Sequence, residues 1–225
     1  DYDADGVSSA VILNSVLTDL GAQVAVYLPH REKEGYGLNV VAVEEIVSNG
    51  TKLIITCDCG VSNNEEVALA NSKNIDVIVT DHHAFQEKLP EAYAIIHPQA
   101  PGETYPFKFL CGGGVSFKLA QALLKHVSNK FALKDSESKE KWLLDMVAIS
   151  TVADMVPIIG ENRTLLKHGL IVLRKTRRVG LQMMFKIAGL EPKEINATNI
   201  AFAIAPRINT AGRMDHANQA YCLLI

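Results

Sequence analysis

The chain has 225 residues, 48% of them hydrophobic, enough for one full α/β domain or one domain plus part of another. Its formal net charge of −3 provides no global basic field for nucleic acid, although a local groove or a bound metal adds positive charge that the sequence does not count. The four cysteines, Cys57, Cys59, Cys111 and Cys222, contain no C-x-x-C pair, which excludes a zinc ribbon and a thioredoxin-type motif. With no signal peptide and no apolar stretch of membrane-spanning length, the expectation is a soluble cytoplasmic protein with reduced thiols. The chain opens at Asp1 without a methionine and stops at Ile225 inside an expected helix, so it reads as a piece of a longer protein.

In chain order, Val7 to Leu20 has apolar residues at helical spacing, with Ser8 and Ser9 near its start and Gly21 as a stop. Gln23 to Leu28 reads as a strand and Pro29 to Gly37 as a polar loop. Asn39 to Ser48 is a second helix, and Thr51 to Thr56 a second strand with the continuous apolar character of buried parallel strands. A third helix begins at Ser62, where Glu65 suggests a capping box. Ile75 to Thr80 and Ala92 to Ile96 are further strands. The alternation predicts an α/β fold: an open, mainly parallel sheet flanked by helices with right-handed crossovers. From Gly112 the pattern turns helical, with candidates at Val115 to His126, Lys139 to Ser150, Arg163 to Lys175 and Gly180 to Ala188. Residues 1–225 therefore read as a single domain, a sheet layer over 1–110 and a helical half over 111–225. Ser128 to Lys141 is polar enough for a mobile loop.

Four places in the sequence put an aspartate where an apolar run ends. Asp1, Asp3 and Asp5 (DYDADG) precede the first helix, Asp58 (CDCG) and Asp81 (DHH) close two strands, and Asp154 follows a long helix. Ligands of open parallel sheets bind outside the carboxyl ends of the strands, so Asp58 and Asp81 fall on one edge, and the DYDADG turn should join them. Such a cluster is untenable unless cations or protons neutralise it. Carboxylates favour Mg²⁺ or Mn²⁺, and imidazole from His82 or His83 tilts the choice toward Mn²⁺. Asp3 and Asp5 on an extended turn would face one side and hold one ion each, with Asp58 bridging two ions roughly 3.5–4 Å apart, as in two-metal hydrolases. Taken singly, each aspartate is as readily a cap or turn residue. An EF-hand is excluded because Ile12 stands where its glutamate would be.

DYDADG, CDCG, DHH and the Ala153-Asp154 site, in that order, resemble the four motifs of the DHH phosphoesterases. Gly35-Tyr36-Gly37-Leu38, LCGGGVSFKLAQAL from Leu110, ADMVPIIGENRTLLKHGL from Ala153 and APRINTAGRMDHA from Ala205 are similar to the RecJ-like branch. The resemblance implies a single-strand-specific DNA exonuclease working 5′ to 3′ in repair and recombination, with two Mn²⁺ or Mg²⁺ ions. Single-strand-binding or helicase proteins are then candidate partners. It makes Asp3, Asp5, Asp58, His82 and Asp154 metal ligands, Asp58 the bridge and His83 the group that touches phosphate. Asp81 and Asp1 support them from behind, and Arg207 and Arg213 bind phosphate. It also implies that a histidine two residues ahead of the position of Asp1 completes the first metal site, with a strand before it, and that a second domain lies beyond Ile225. A phosphodiesterase for oligonucleotides or cyclic dinucleotides, and a metal-free scaffold, are the alternatives.

Other residues are candidates by type. Gly112, Gly113 and Gly114, opening a helix, are a candidate phosphate cradle. Arg174 to Arg178 is either a solvated helix end or a DNA contact. Tyr36, on its Gly-flanked loop, is the aromatic best placed to stack a base. His30, His97 and His126 have no evident partner.

Overall fold

Three short apolar runs pair in parallel, in the order β1 (Leu53–Cys57), β2 (Asp76–Thr80), β3 (Ala94–Ile96). The computed structural model describes residues 1–131 and 135–225. Leu53 lies opposite Asp76 and Cys57 opposite Thr80, while Ile78 to Thr80 run beside Ala94 to Ile96. Helices α2 (Val40–Ser48) and α3 (Asn64–Ser72) cover the sheet through Val43, Val67 and Ala70, which pack on Ile54, Val77 and Val79. Because β1 and β2 share direction and register, their carboxyl ends deliver Asp58 and Asp81 to the same rim.

The expected strand from Gln23 to Leu28 is absent: the segment is without regular structure. Its apolar alternation is real, but a strand is a pairing, and no described strand pairs with it. The capping box expected from Ser62 is also not formed. The third helix begins at Asn64, and its cap residue Asn63 instead donates from Nδ2 to the carbonyl of Leu38, 2.8 Å away. The first helix starts three residues earlier than periodicity suggests: α1 spans Ala4–Asp19 with Asp3 as its cap, and Ser8 and Ser9 lie buried within it.

The second half is helical, as expected, and its boundaries shift. Helix α4 runs Gly112–Phe131, so the three glycines form its first turn. The long helix expected from Lys139 to Ser150 is two, α5 (Ser136–Trp142) and α6 (Leu144–Ala153), and α7 (Gly160–Leu173) and α8 (Val179–Ile187) follow. The expected loop from Ser128 to Lys141 is thus helical at both ends, with residues 132–134 outside the described part. A helical stretch with no counterpart among the expected elements runs through α9 (Ala197–Asn199), a π-turn over Ile200–Ile204, and α10 (Ala205–Met214), before α11 (Asn218–Leu224). Pro206 has no N–H to offer the preceding turn, which accounts for the widened pitch just before it.

Helix α1 is the axis of the molecule. It packs on α4, α6, α10 and α11 and also touches β1. Its Val7, Val11 and Ile12, fully shielded, join Phe117, Leu124, Met146, Ile149 and Ile208 in the main core. A buried ion pair, Arg178 Nε to Asp145 at 3.2 Å, ties α8 to α6, and the same guanidinium donates to the carbonyl of Leu224 at 2.7 Å.

Helices α6 and α7 approach closely at Gly169, where an added Cβ would lie 2.5 Å from the carbonyl oxygen of Leu144 and 2.7 Å from Ala148 Cβ. Gly169→Ala gains about 1 kcal/mol of helix propensity, against roughly 1–3 kcal/mol of overpacking. Because backbone on one side cannot yield, overpacking wins. Urea unfolding should show a net loss of up to about 2 kcal/mol with an unchanged slope.

Candidate metal centre

Helix α1 begins inside the site. Asp3 caps it, its Oδ1 accepting the N–H groups of Asp5 and Gly6 at 2.9 and 3.0 Å. The expected extended turn is therefore a helix start, because the cap captures two otherwise orphaned donors. Ala4, a third first-turn donor, gives its N–H to Asn209 Oδ1 at 2.7 Å, which fastens α10 to the DYDADG segment.

Asp5 is buried and doubly pinned. Gly112 N–H donates to its Oδ2 and Gly113 N–H to its Oδ1, both at 2.8 Å, and the Ser150 hydroxyl adds a short bond to Oδ1. The positive end of a long helix thus faces an acidic side chain of the chain itself. This corrects the phosphate-cradle expectation for Gly112 and Gly113, whose N–H groups are already taken; Gly114 packs against Leu110 and Cys111. Glycine is required by proximity: a Cβ on Gly112 would lie 2.3 Å from Asp58 Oδ1, and one on Gly113 2.2 Å from Ser150 Oγ.

Asp58 leaves β1 with φ +62°, a left-handed conformation that aspartate tolerates better than most residues, and its N–H continues the ladder to the Thr80 carbonyl at 2.9 Å. The turn points its carboxylate at His82, with Nε2 3.1 Å from Asp58 Oδ1, 3.6 Å from Asp154 Oδ2 and 3.7 Å from Asp5 Oδ2. Three groups of ligand atoms lie within 4.8 Å of one another: Asp1, Asp3 and Asp58; Asp5, His82 and Asp154; Asp58, His82 and His83. Asp58 belongs to two of them, so it stands between the Asp1–Asp3 side and the histidine side. Asp1, expected only behind the ligands, offers an oxygen beside Asp3.

Asp81 faces the other way. Its Oδ1 accepts from the His82 and His83 N–H groups at 2.7 and 3.1 Å and bonds His83 Nδ1 at 2.9 Å, while its Oδ2 takes the Val61 N–H at 3.0 Å. Asp81 is thus engaged with the backbone and one imidazole of the histidine pair and belongs to none of the three groups. The Tyr36 hydroxyl donates to the Asp58 carbonyl at 3.0 Å and lies 3.0 Å from His83 Nδ1, its ring edge-on to the imidazole. The residue expected to stack a base is thus tied by its hydroxyl into the site, although its ring is half exposed.

Burial pushes the Asp58 carboxyl well above its usual range, and the negative charges of Asp5 and Asp3 push the same way. Asp5 is raised by burial in spite of His82 and Ser150, and Asp154 is raised to about 6 by burial and by Asp5. Asp81 behaves oppositely. Burial would raise it, but the hydrogen bonds from His83 and from backbone N–H groups hold it below the ordinary carboxylate range. His83 in turn is raised by its bond to Asp81, against the effect of burial.

A divalent cation fits these residues. Asp58 Oδ1 and His82 Nε2 are buried without a hydrogen-bond partner, though both are pointed into the cluster. Lone pairs of a hard carboxylate and an imidazole, left unsatisfied among like charges, are the donor set that Mn²⁺ or Mg²⁺ takes.

Other expected residues stand apart. Arg207 and Arg213 are exposed on α10; Arg207 donates to the Ala203 carbonyl at 2.7 Å. Of the basic run, Arg178 is in the buried pair with Asp145 and Arg174 binds the Ile195 carbonyl, while Arg177 lies over the Trp142 ring at 3.8 Å. His97 has partners after all, the His83 carbonyl and the Gln99 N–H. Sequence reasoning missed Ser150, Asn209 and Asn63. Only Ser150 left a signal, a hydroxyl four residues before Asp154 in a mostly apolar helix.

Comparison with known proteins gives a consistent answer. The model of the DHH family, N-terminal domain, matches residues 1–151. A Bacillus subtilis (strain 168) protein named single-stranded-DNA-specific exonuclease RecJ is 44% identical over 225 residues, all of this chain and 27% of that protein. Its namesake from Salmonella typhimurium is 37% identical, with 40% of its length covered. The chain thus spans well under half the length of these relatives. A crystal structure of exonuclease RecJ bound to manganese superposes with a TM-score of 0.86 at 36% identity, covering the whole chain and 54% of that structure. RecJ from Thermus thermophilus in complex with Mn²⁺ gives 0.82 at 33%, again over the whole chain and 31% of that structure.

The raised Asp154 carboxyl makes a prediction for the metal-free chain. Between its ordinary value of 3.8 and about 6, the folded state holds more protons here than the unfolded state. The Asp154 contribution to stability should therefore fall as pH rises through that window and level off above it. Asp154→Asn removes the charge and keeps the shape. At about pH 7 it should stabilise the metal-free chain by on the order of 1 kcal/mol and flatten the decline. Thermal melts in a chelator across the pH range provide the check; a variant less stable than the parent at neutral pH would contradict the repulsion argument.

Proposed function

The chain belongs to the DHH family, and on that premise we propose that it is the catalytic core of a metal-dependent exonuclease that hydrolyses single-stranded DNA from its 5′ end. The observation that carries the reading is the pair of buried, unpartnered atoms, Asp58 Oδ1 and His82 Nε2, 3.1 Å apart among further carboxylates. Asp5, His82 and Asp154 would hold one cation, Asp3 and Asp1 would contribute to a second, and Asp58 would serve both. When bound, Mn²⁺ or Mg²⁺ supplies positive charge against the phosphoryl oxygens and a nucleophilic water at neutral pH.

The chain's own residues do the rest. Asp5, locked by Gly112, Gly113 and Ser150, keeps its oxygens in place without reorganisation. Asp81, as an acceptor, keeps a hydrogen on His83 Nδ1 and turns Nε2 away from itself. The His83 ring is 40% exposed, against 13% for His82 and 23% for Asp154. It is suited to donate to a non-bridging phosphate oxygen as charge builds there. Tyr36, bonded to the same ring, presents a half-exposed aromatic face beside it, where a terminal base can rest. Arg207 and Arg213, exposed on the helix anchored to Ala4 through Asn209, are suited to hold backbone phosphates further along the strand.

The relatives' names support the substrate, and the free state of all four cysteines supports the cytoplasmic setting. Among the described residues no helix is long and apolar enough to cross a membrane.

Asp58→Ala should abolish Mn²⁺ binding in calorimetry and reduce hydrolysis of a 5′-phosphorylated single strand by at least about 10³-fold, the scale of losing electrostatic stabilisation at the reacting centre. Retained cleavage would sink the proposal. Faster turnover of a dinucleotide than of a long strand would redirect it to small-nucleotide hydrolysis. A parent chain that shows no heat with Mn²⁺ would leave only a scaffold role.

A further inference from the structure

Asp5, Asp58 and Asp154 are each carried by a helix or the end of a strand, but His82 and His83 lie in a segment with no regular structure. The Asp81 carboxylate holds the two N–H groups of that segment, and the Asp81 N–H continues the ladder to the Ile96 carbonyl at 3.2 Å. The carbonyl of His83 is held by His97. Its Nε2 lies 2.8 Å from the His83 oxygen, while its Nδ1 accepts the Gln99 N–H at 3.0 Å. A ring nitrogen that accepts from an amide carries no hydrogen, so Nε2 is the donor to His83. The imidazole is 2% exposed, follows directly on β3, and is braced edge-on by Phe85 at 5.5 Å.

We propose that His97 is a positioning residue for the reaction: by gripping the His83 carbonyl from the end of β3, it fixes the backbone that aims the His82 and His83 imidazoles. This inference rests on the metal-dependent reading above. The turn after Asp81 is thereby held from both sides, its N–H groups by an acceptor on β2's end and its carbonyl by a donor on β3's end. Both anchors belong to paired strands, so the ring directions are set by the sheet rather than by the loop. Without His97 the His83 peptide can rotate. His82 Nε2 would then lose its register with Asp5, Asp58 and Asp154, although no ligand atom has been removed.

Isosteric replacements separate this role from simple packing. In His97→Gln the amide nitrogen can reach the position of Nε2 and donate to His83, whereas His97→Asn restores only the acceptor for Gln99. Gln99 is exposed, so water can replace that acceptor. In the full chain, His97→Ala and His97→Asn should weaken Mn²⁺ binding and lower kcat on a 5′-phosphorylated single strand by about 10- to 100-fold, as loss of a ligand-orienting partner does. KM should stay unchanged, and His97→Gln should recover most of both losses. In the metal-free chain the ring ¹⁵N shifts of His82 and His83 should move in the Ala and Asn variants and keep the parent values in Gln. Equal behaviour of Gln and Asn, or an Ala variant with parent shifts and parent Mn²⁺ affinity, overturns the proposal. If the Ala variant does not fold, the Gln and Asn pair decides alone. A parent chain that binds no Mn²⁺ refutes the metal reading instead, and the metal-free shifts still decide the part played by His97.

Discussion

Carboxylates forced into mutual contact out of water are the constraint to which the rest of this structure answers. Asp5 and Asp58 are each 1% exposed and both lie near the same imidazole nitrogen, with Asp3 and Asp154 beside them. Unrelieved, such an arrangement costs several kcal/mol for each ion. The fold relieves part of it. The first turn of α4 donates two N–H groups to Asp5, and Ser150 adds a hydroxyl. That the relief is incomplete is visible in the raised carboxyls of Asp5, Asp58 and Asp154. A bound cation would complete it, and binding energy for the metal would in this sense be stored in the folded chain.

The same constraint explains features that look unconnected along the chain. Glycines at 112 and 113 are needed because a helix end must approach two aspartates more closely than any side chain allows. Asp58 takes a left-handed turn so that a strand-end residue can face inward. Helix α1 begins with its cap inside the cluster, and α10 is fastened to that beginning through Asn209. Sheet half and helical half therefore meet at the acids, each supplying side chains to the cluster.

Accessibility is graded across the site. Asp5 and Asp58 are sealed, the His82 side chain is 13% exposed, Asp154 23% and His83 40%. The accessible members of the histidine side are thus His83 and Asp154, and Tyr36 and Met155 are exposed nearby in the chain fold, bonded to His83 and following Asp154 respectively. Met155 itself has φ +59°, an uncommon conformation for a long side chain, directly after Asp154. Strain of this kind persists where the surroundings over-determine it, as they do next to a residue that has to face the cluster.

Local pattern determined the α/β order, the parallel sheet and the aspartates at the ends of β1 and β2, because hydrophobic period and strand direction are written in neighbouring residues. The motif order DYDADG, CDCG, DHH carried the chemistry for the same reason. What only the tertiary structure decided are relations between distant residues. Gln23 to Leu28 alternates as a strand does yet has no described strand to pair with; Asp3 rather than Ser8 starts the first helix. The Gly112 and Gly113 amides serve an aspartate more than a hundred positions away. Helix α10, with Pro206 and Gly212 against it, exists because Ile208 is buried and Asn209 has a donor to meet at Ala4. Ser150, Asn209 and His97 became legible only as partners, since a hydrogen bond across the fold leaves no periodicity in the chain that makes it.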